Sequence, residues 1–405
     1  MTGGRSVLRI PEFRRYWAGV LAVQVGSFGT NSAILYHVYA VTGSLTQTGL
    51  VGAAQVLALL GVSPFAGALA DRLDGRRILL AVYCVMGAVA TALALLTVTG
   101  RVASWQILAA VVLVTAGTSL DHPTRQAMLP ALVGRERLGQ AVALINPSRE
   151  VAVLVGASVA GLLIAVRGPE LMYGLAAVLL LVQVAVVAAL PARVFARERD
   201  RSEPFLKAIA RGVGYVRRRT LLWRLMALDL SATVLSAYRV VLPSLAVDVL
   251  HVGPQGYGLL AGAPSAGALL ASYVGYLTVL RVRRLGWVLV CCAALHALGA
   301  ILLAQAPVLA LALVGAVVIG ANDAVATTIN HTAVQLDTPD RYRGRVLAFH
   351  QMASRGGPAV GNVLVGAAAG ALGPVVALSI GGLGSLAVAL RFGARPNELR
   401  DYRRE

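Results

Sequence analysis

The chain has 405 residues, 58% of them hydrophobic and only 13% charged, with a mean hydropathy of +0.75, which excludes an ordinary soluble globular protein. Its net charge of +18 would point to nucleic acid in a soluble protein, but here the basic residues sit in short stretches between long apolar blocks. No stretch is long enough to form a nucleic-acid-binding module, so topology and anionic lipid explain the charge better.

A spanning helix needs about 20 apolar residues. The apolar blocks predict spans at 17–41, 48–70, 78–98, 104–124, 138–166 and 171–190, then at 221–247, 258–280, 285–306, 308–328, 346–370 and 372–391. The predicted fold is therefore an all-α integral membrane protein of twelve transmembrane helices. Arg5, Arg9, Arg14 and Arg15 precede the first block, which is too long for a signal-peptide core and is expected to remain as an uncleaved span. Thirty of the 36 Lys and Arg residues fall in residues 1–16, 71–77, 125–137, 191–219, 281–284, 341–345 and 391–405, whereas the complementary connections hold only Arg101 and Arg167. The positive-inside rule then puts both termini in the cytoplasm of a cell-membrane protein. Trp17, Trp105, Trp223 and Trp287 fall near span starts, as expected of interfacial anchors.

The third, sixth and ninth spans carry no charged residue and the twelfth only Arg391 at its very end, so these four are expected at the periphery around an internal polar cavity. The chain also repeats itself. Trp17 and Trp223 lie 206 residues apart, Gly156–Gly161 and Gly361–Gly366 lie 205 apart, and Arg76–Arg77 and Arg283–Arg284 lie 207 apart. Six spans per repeat give parallel halves related about the membrane normal. The expected domains are an N-terminal half at 1–190, a cytoplasmic linker at 191–219 and a C-terminal half at 220–405 with a short tail. Within the linker, Phe205 to Val216 reads as an amphipathic segment on the membrane surface.

Charged groups inside spans are suspected of function by default. The cations are Arg149, Arg239 and Arg355, and the deepest carboxylates are Glu150, Asp229 and Asp323. A carboxyl group that alternates between a desolvated setting and one beside a cation can bind and release a proton; the alternative is a fixed structural ion pair. Glu150 is the first choice, because Pro147 and Gly156 flank it and because the neighbouring Arg149 projects about 100° away on a helix. Asp121, near the end of the fourth span, reads as structural. Gln24, Asn31, Tyr36, Tyr238, Asn322, His350 and Gln351 are candidates to line a substrate cavity, against the alternative of hydrogen bonding between helices. His37, His296 and His350 show no metal-ligand spacing, and Cys84, Cys291 and Cys292 all lie in apolar blocks, so neither a metal nor a disulfide is expected. No phosphate-binding loop is present, which argues against ATP, and no cofactor is implied.

The loop after the second span runs from Gly67 through Asp71, Arg72, Asp74 and Gly75 to Arg76 and Arg77. It resembles the signature loop of the major facilitator superfamily, with Asp74 and Gly75 where that family usually has Gly and Arg. The stretches Asp121–Pro130, Val247–Leu260 and Pro339–Val346 look like the superfamily's drug:proton antiporter branch, which includes an enterobactin exporter. The resemblance implies a gating latch on Gly67, Asp71, Arg72 and Arg76. It also implies secondary active transport rather than enzymatic activity: proton-coupled efflux, by a monomer in contact with membrane lipid, of a small amphipathic substrate such as a drug, antibiotic or siderophore-like metabolite. An importer or lysolipid flippase on the same fold is the alternative, and a non-transporting receptor or scaffold is the more distant one.

Reporter fusions test the topology. Fusions at Ser44, Arg101 and Gly253 are expected to report the outside and a fusion at Glu203 the inside; reversed signals at two or more of these sites would overturn it.

Overall fold

The structure is a computed structural model that describes residues 6–72, 74–191, 213–394 and 398–400, with the side chains of 63–72, 135, 279–280, 340–341, 343–345 and 348 left undescribed. The long helices are α1 Pro11–Thr42, α2 Leu45–Arg72, α3 Gly75–Val98, α4 Ser104–Val133, α5 Leu138–Val166 and α6 Pro169–Ala189. They continue with α7 Thr220–Leu230, α8 Gly253–Arg281, α9 Leu285–Gln305, α10 Leu309–Leu336, α11 Asp340–Leu372 and α12 Pro374–Ala394. Local chemistry sets the ends. Asp74 accepts a hydrogen bond from the Arg76 backbone N–H (2.9 Å) to open α3, Pro169 and Pro374 occupy first helical turns, and Gly373, at φ 85°, ends α11.

Among the described residues, eleven helices are long and apolar enough to cross a membrane. The expected span at 346–370 lies within α11, which is not among the eleven; Arg355 is the one charged residue in that stretch. Length and hydropathy of the described residues thus single out eleven of the twelve long helices and leave the twelfth expected span unconfirmed. The amphipathic segment Phe205–Val216 falls largely outside the described residues; only 213–216 belong to a short helix, at 213–218.

The chain forms two compact units. The first comprises 1–34 and 57–205, and the second 35–56 and 206–405, so the α1–α2 hairpin tip belongs to the second. In the first unit α3 packs on α4 and α6; in the second α9 packs on α10 and α12. The neighbour pattern thus recurs six helices on, as the sequence repeat implies. The first unit's core gathers Phe13, Tyr16, Leu79, Tyr83, Met128 and Leu180, and the second's gathers Leu222, Leu225, Leu289, Ile329 and Val346. Exposed side chains such as Leu95, Leu162, Leu181, Leu270 and Leu390 are the apolar exterior that a bilayer solvates. The Trp17 indole N–H donates to Ser148 Oγ at 3.0 Å, tying α1 to α5.

The seventh span is the irregular one. Its sequence predicts one helix over 221–247, but α7 ends at Leu230 and gives way to a π-helical turn at Ser231–Leu235, a 3-10 turn at Tyr238–Val240 and a second π turn at Leu245–Val249. Pro243, which lacks an N–H, sits between the last two. Glycines of other helices press against this stretch: a Cβ on Gly361 would lie 2.7 Å from Ala237 Cβ and 2.8 Å from the Val234 carbonyl oxygen. The equivalent Gly156 of α5 lies as close to α1, its Cβ position 2.5 Å from the Val25 carbonyl oxygen. Both glycines are therefore close-packing positions between helices.

The tightest of these approaches joins α8 and α10, where a Cβ on Gly320 would overlap the Pro264 carbonyl. Gly320→Val is expected to lower the thermal midpoint in detergent, at a cost of about 1–3 kcal/mol. Gly87→Ala, whose nearest atom would be Leu180 Cβ at 3.8 Å, is the neutral control, and equal behaviour of the two variants would contradict the packing.

Candidate functional site

The second unit gathers the ionisable residues of three helices. Asp229 is the next-to-last residue of α7, just before the π turn. Asp323 and Asn330, seven residues apart on α10, share one helix face with Asn322 beside them. His296 projects from α9 and is 4% exposed. Its Nδ1 lies 3.2 Å from Asp323 Oδ1, without hydrogen-bond alignment, while Asn330 Nδ2 donates to Asp229 Oδ1 at 3.3 Å. Asp323 is the wet member of the set, its side chain 49% exposed. These residues surround a cavity of about 20 Å³ that Leu225, Leu289, Cys292 and Ala326 close with apolar surface. That volume is about that of a single water.

Two acids and an imidazole thus line one small cavity of the second unit. The sequence reading singled out Asp229, Asp323 and Asn322 but missed the part of His296. It treated the uncharged ninth span as peripheral and tested its histidine only for metal spacing. The available signal was Cys292 and His296 at i, i+4, which put two ionisable side chains on one face of an otherwise apolar helix.

The first unit corrects the reading of Glu150. Arg149 Nη1 donates to Glu150 Oε1 at 2.5 Å, so the two side chains meet although their Cα–Cβ bonds diverge. The long Arg149 side chain curls along the helix surface to make the contact. Glu150 is thus in an ion pair, the alternative already open for it. Arg149 also places its guanidinium 5.3 Å from the centre of the Phe28 ring of α1.

The other candidates scatter. Arg239 stacks on Tyr238 at 5.5 Å, and both Arg239 and Arg355 are exposed. Tyr36 packs against Tyr257 with centroids 5.4 Å apart, and buried His350 meets His331 edge-on at 5.1 Å. Gln24 keeps a buried Oε1 without a hydrogen-bond partner among the described residues, whereas Asn31 and Gln351 are exposed. Of the signature loop, Gly67, Asp71 and Arg72 form the end of α2 but their side chains lie outside the described set. Arg76 donates to the Ala188 carbonyl oxygen at the end of α6. Asp121 is structural, as expected: it pairs with Arg125 one turn on (2.7 Å) and accepts from the Tyr83 hydroxyl (2.5 Å), inside the first unit's core.

Across residues 2–399 the sequence matches the family described as transmembrane secretion effector. The chain belongs to this family of the major facilitator superfamily. Among curated relatives, the enterobactin exporter EntS of Salmonella choleraesuis is 26% identical over 404 residues, covering 97% of this chain and 94% of its own. The EntS of Escherichia coli O127:H6 is 29% identical over 286 residues, or 70% and 68% of the two chains. The fold matches solved transporters at low identity. A nucleoside transporter NupG mutant superposes with a TM-score of 0.77 at 13% identity, covering 95% of this chain and 99% of its own. A D-xylose-proton symporter gives 0.68 at 15% identity, covering 95% and 99%. The chain is a multi-pass membrane transporter and not an enzyme.

For the buried pair Asp121 and Arg125 the structure predicts a large asymmetry. Asp121→Ala leaves Arg125 buried without its partner and is expected to cost about 3–5 kcal/mol, read as a fall in thermal midpoint in detergent. The double variant Asp121→Leu with Arg125→Met is expected to recover most of that loss; a double variant no more stable than the single one would contradict the pairing.

Proposed function

We propose that this transporter exports a siderophore-like or otherwise amphipathic small molecule in exchange for protons, and that Asp229, Asp323 and His296 form the proton-coupling site. The observation that carries the reading is the water-sized cavity around those residues, with one acid half-exposed and the histidine buried. A group that couples transport to protons must reach water in one state and exchange its proton with a partner in another, and Asp323 beside His296 has the parts for both. The export direction rests on the relatives, whose names describe enterobactin exporters. On this reading Glu150 is not the coupling acid, because it already has a cation at 2.5 Å.

The remaining features fit the same scheme. Both termini and the 191–219 linker lie in the cytoplasm, the two repeats 1–190 and 220–405 are the rocking bodies, and a monomer suffices. Asp71 and Arg72 form a cytoplasmic latch with Arg76, whose anchoring to the end of α6 supports a role in positioning that loop.

Vesicle assays with enterobactin and a panel of amphipathic drugs test the coupling. Asp323→Asn and Asp229→Asn fix the protonated charge state, so each is expected to reduce uphill, pH-gradient-driven transport at least about tenfold while sparing downhill movement, whereas Glu150→Gln keeps its proton dependence. If both asparagine variants still drive uphill transport with an intact proton dependence, the coupling assignment is wrong. If it is Glu150→Gln that loses it, the coupling site lies in the first unit.

A further inference from the structure

Arg149 is the least satisfied cation inside a span of the first unit. It lies 11 residues into α5, and its side chain is 59% exposed, against 23% for Glu150. A guanidinium at that depth cannot face lipid, so its exposed side faces water. The polarity of the surrounding surface agrees. Exposed Asn146 lies one turn back on α5; on α1, Gln24 and exposed Asn31 lie at i−4 and i+3 from Phe28, on the same helix face. Exposed Leu162 and Val166 lie toward the other end of α5, away from this patch.

The guanidinium's contacts leave a defined vacancy. Glu150 takes Nη1 alone, and the guanidinium carbon lies 5.3 Å from the centre of the Phe28 ring. Among the described residues no other partner reaches it, so the edge formed by Nε and Nη2 is open. That edge is the two-donor fork that matches a carboxylate or another planar anion. Phe28 offers apolar aromatic surface close to the guanidinium.

We infer that Arg149 and Phe28 form a substrate-recognition site for an aromatic acid, the anion taken by the open edge of Arg149 and the ring placed against Phe28. The inference rests on the transporter reading and narrows it to a substrate class: the cargo carries an anionic group attached to, or next to, an aromatic ring. The site is distinct from the proton cluster. It lies in the other unit and uses none of its residues.

Binding of 2-naphthoate and its neutral isostere 2-naphthamide to the purified full chain in nanodiscs, followed by calorimetry, tests this directly. The wild type is expected to bind the acid at least about tenfold more tightly than the amide. Arg149→Gln is expected to erase the difference, Arg149→Lys to keep part of it, and Phe28→Leu to weaken both probes alike. A monodisperse elution profile and an unchanged thermal midpoint show that each variant is folded. Equal affinity of the two probes for the wild type, a preference that survives Arg149→Gln, or no binding of either probe would overturn the site. The assay needs neither a gradient nor transport, so binding that persists in a chain without proton-driven efflux would refute the coupling reading and leave this one standing.

Discussion

A charge inside a bilayer has no bulk water to solvate it, and that constraint governs where every ionisable side chain in this protein goes. The chain meets it in two ways. Asp121 and Arg125 are buried together in the first unit's core, with the Tyr83 hydroxyl as a further donor, so neither is left to the hydrocarbon. Arg149 and Asp323 instead keep exposed side-chain surface beside one charged or ionisable neighbour each. A fully neutralised pair is a scaffold element. A group with one partner and one open side can respond to a proton or an anion.

The backbone follows the same logic. Where the seventh span holds Asp229 it does not continue as a regular helix, and two π turns and a 3-10 turn carry the chain onward. Irregular backbone at membrane depth is tolerated only when other protein segments cover it. Gly361 of α11 and Gly381 of α12 do so, both approaching carbonyls in the 233–235 stretch at distances that no larger residue permits. Close glycine packing and a broken helix are thus two sides of one arrangement, which frees Asp229 from a uniform helical wall and brings it toward α9 and α10.

Much of this was legible in the sequence. The alternation of basic stretches with apolar blocks marks the helices, and the spacing of Gly156 and Gly361 marks positions that play equivalent packing roles in the two units. Asp229 and Asp323 stand out because acids within apolar blocks are rare. What sequence could not give is which of them meet. Helical projection separates Arg149 from Glu150 by their backbone directions, yet a flexible arginine closes the gap, so the pair is decided by side-chain reach and not by periodicity. His296 was overlooked for the opposite reason: its helix is apolar, and its value comes wholly from Asp323 on a different helix. The seventh span's break was equally hidden, because its hydropathy reads as one continuous helix.

The central claim is that Asp229 and Asp323 hold the exchangeable proton, and infrared difference spectroscopy between acid and neutral pH addresses it without needing a substrate. The account predicts a carboxyl band in the purified wild type that appears on acidification, is lost or shifted in Asp229→Asn and in Asp323→Asn, and changes shape in His296→Gln because the histidine sits 3.2 Å from the acid. The band should persist unchanged in Glu150→Gln. A titrating carboxyl band that survives in both aspartate variants, or one that disappears only in Glu150→Gln, would contradict it.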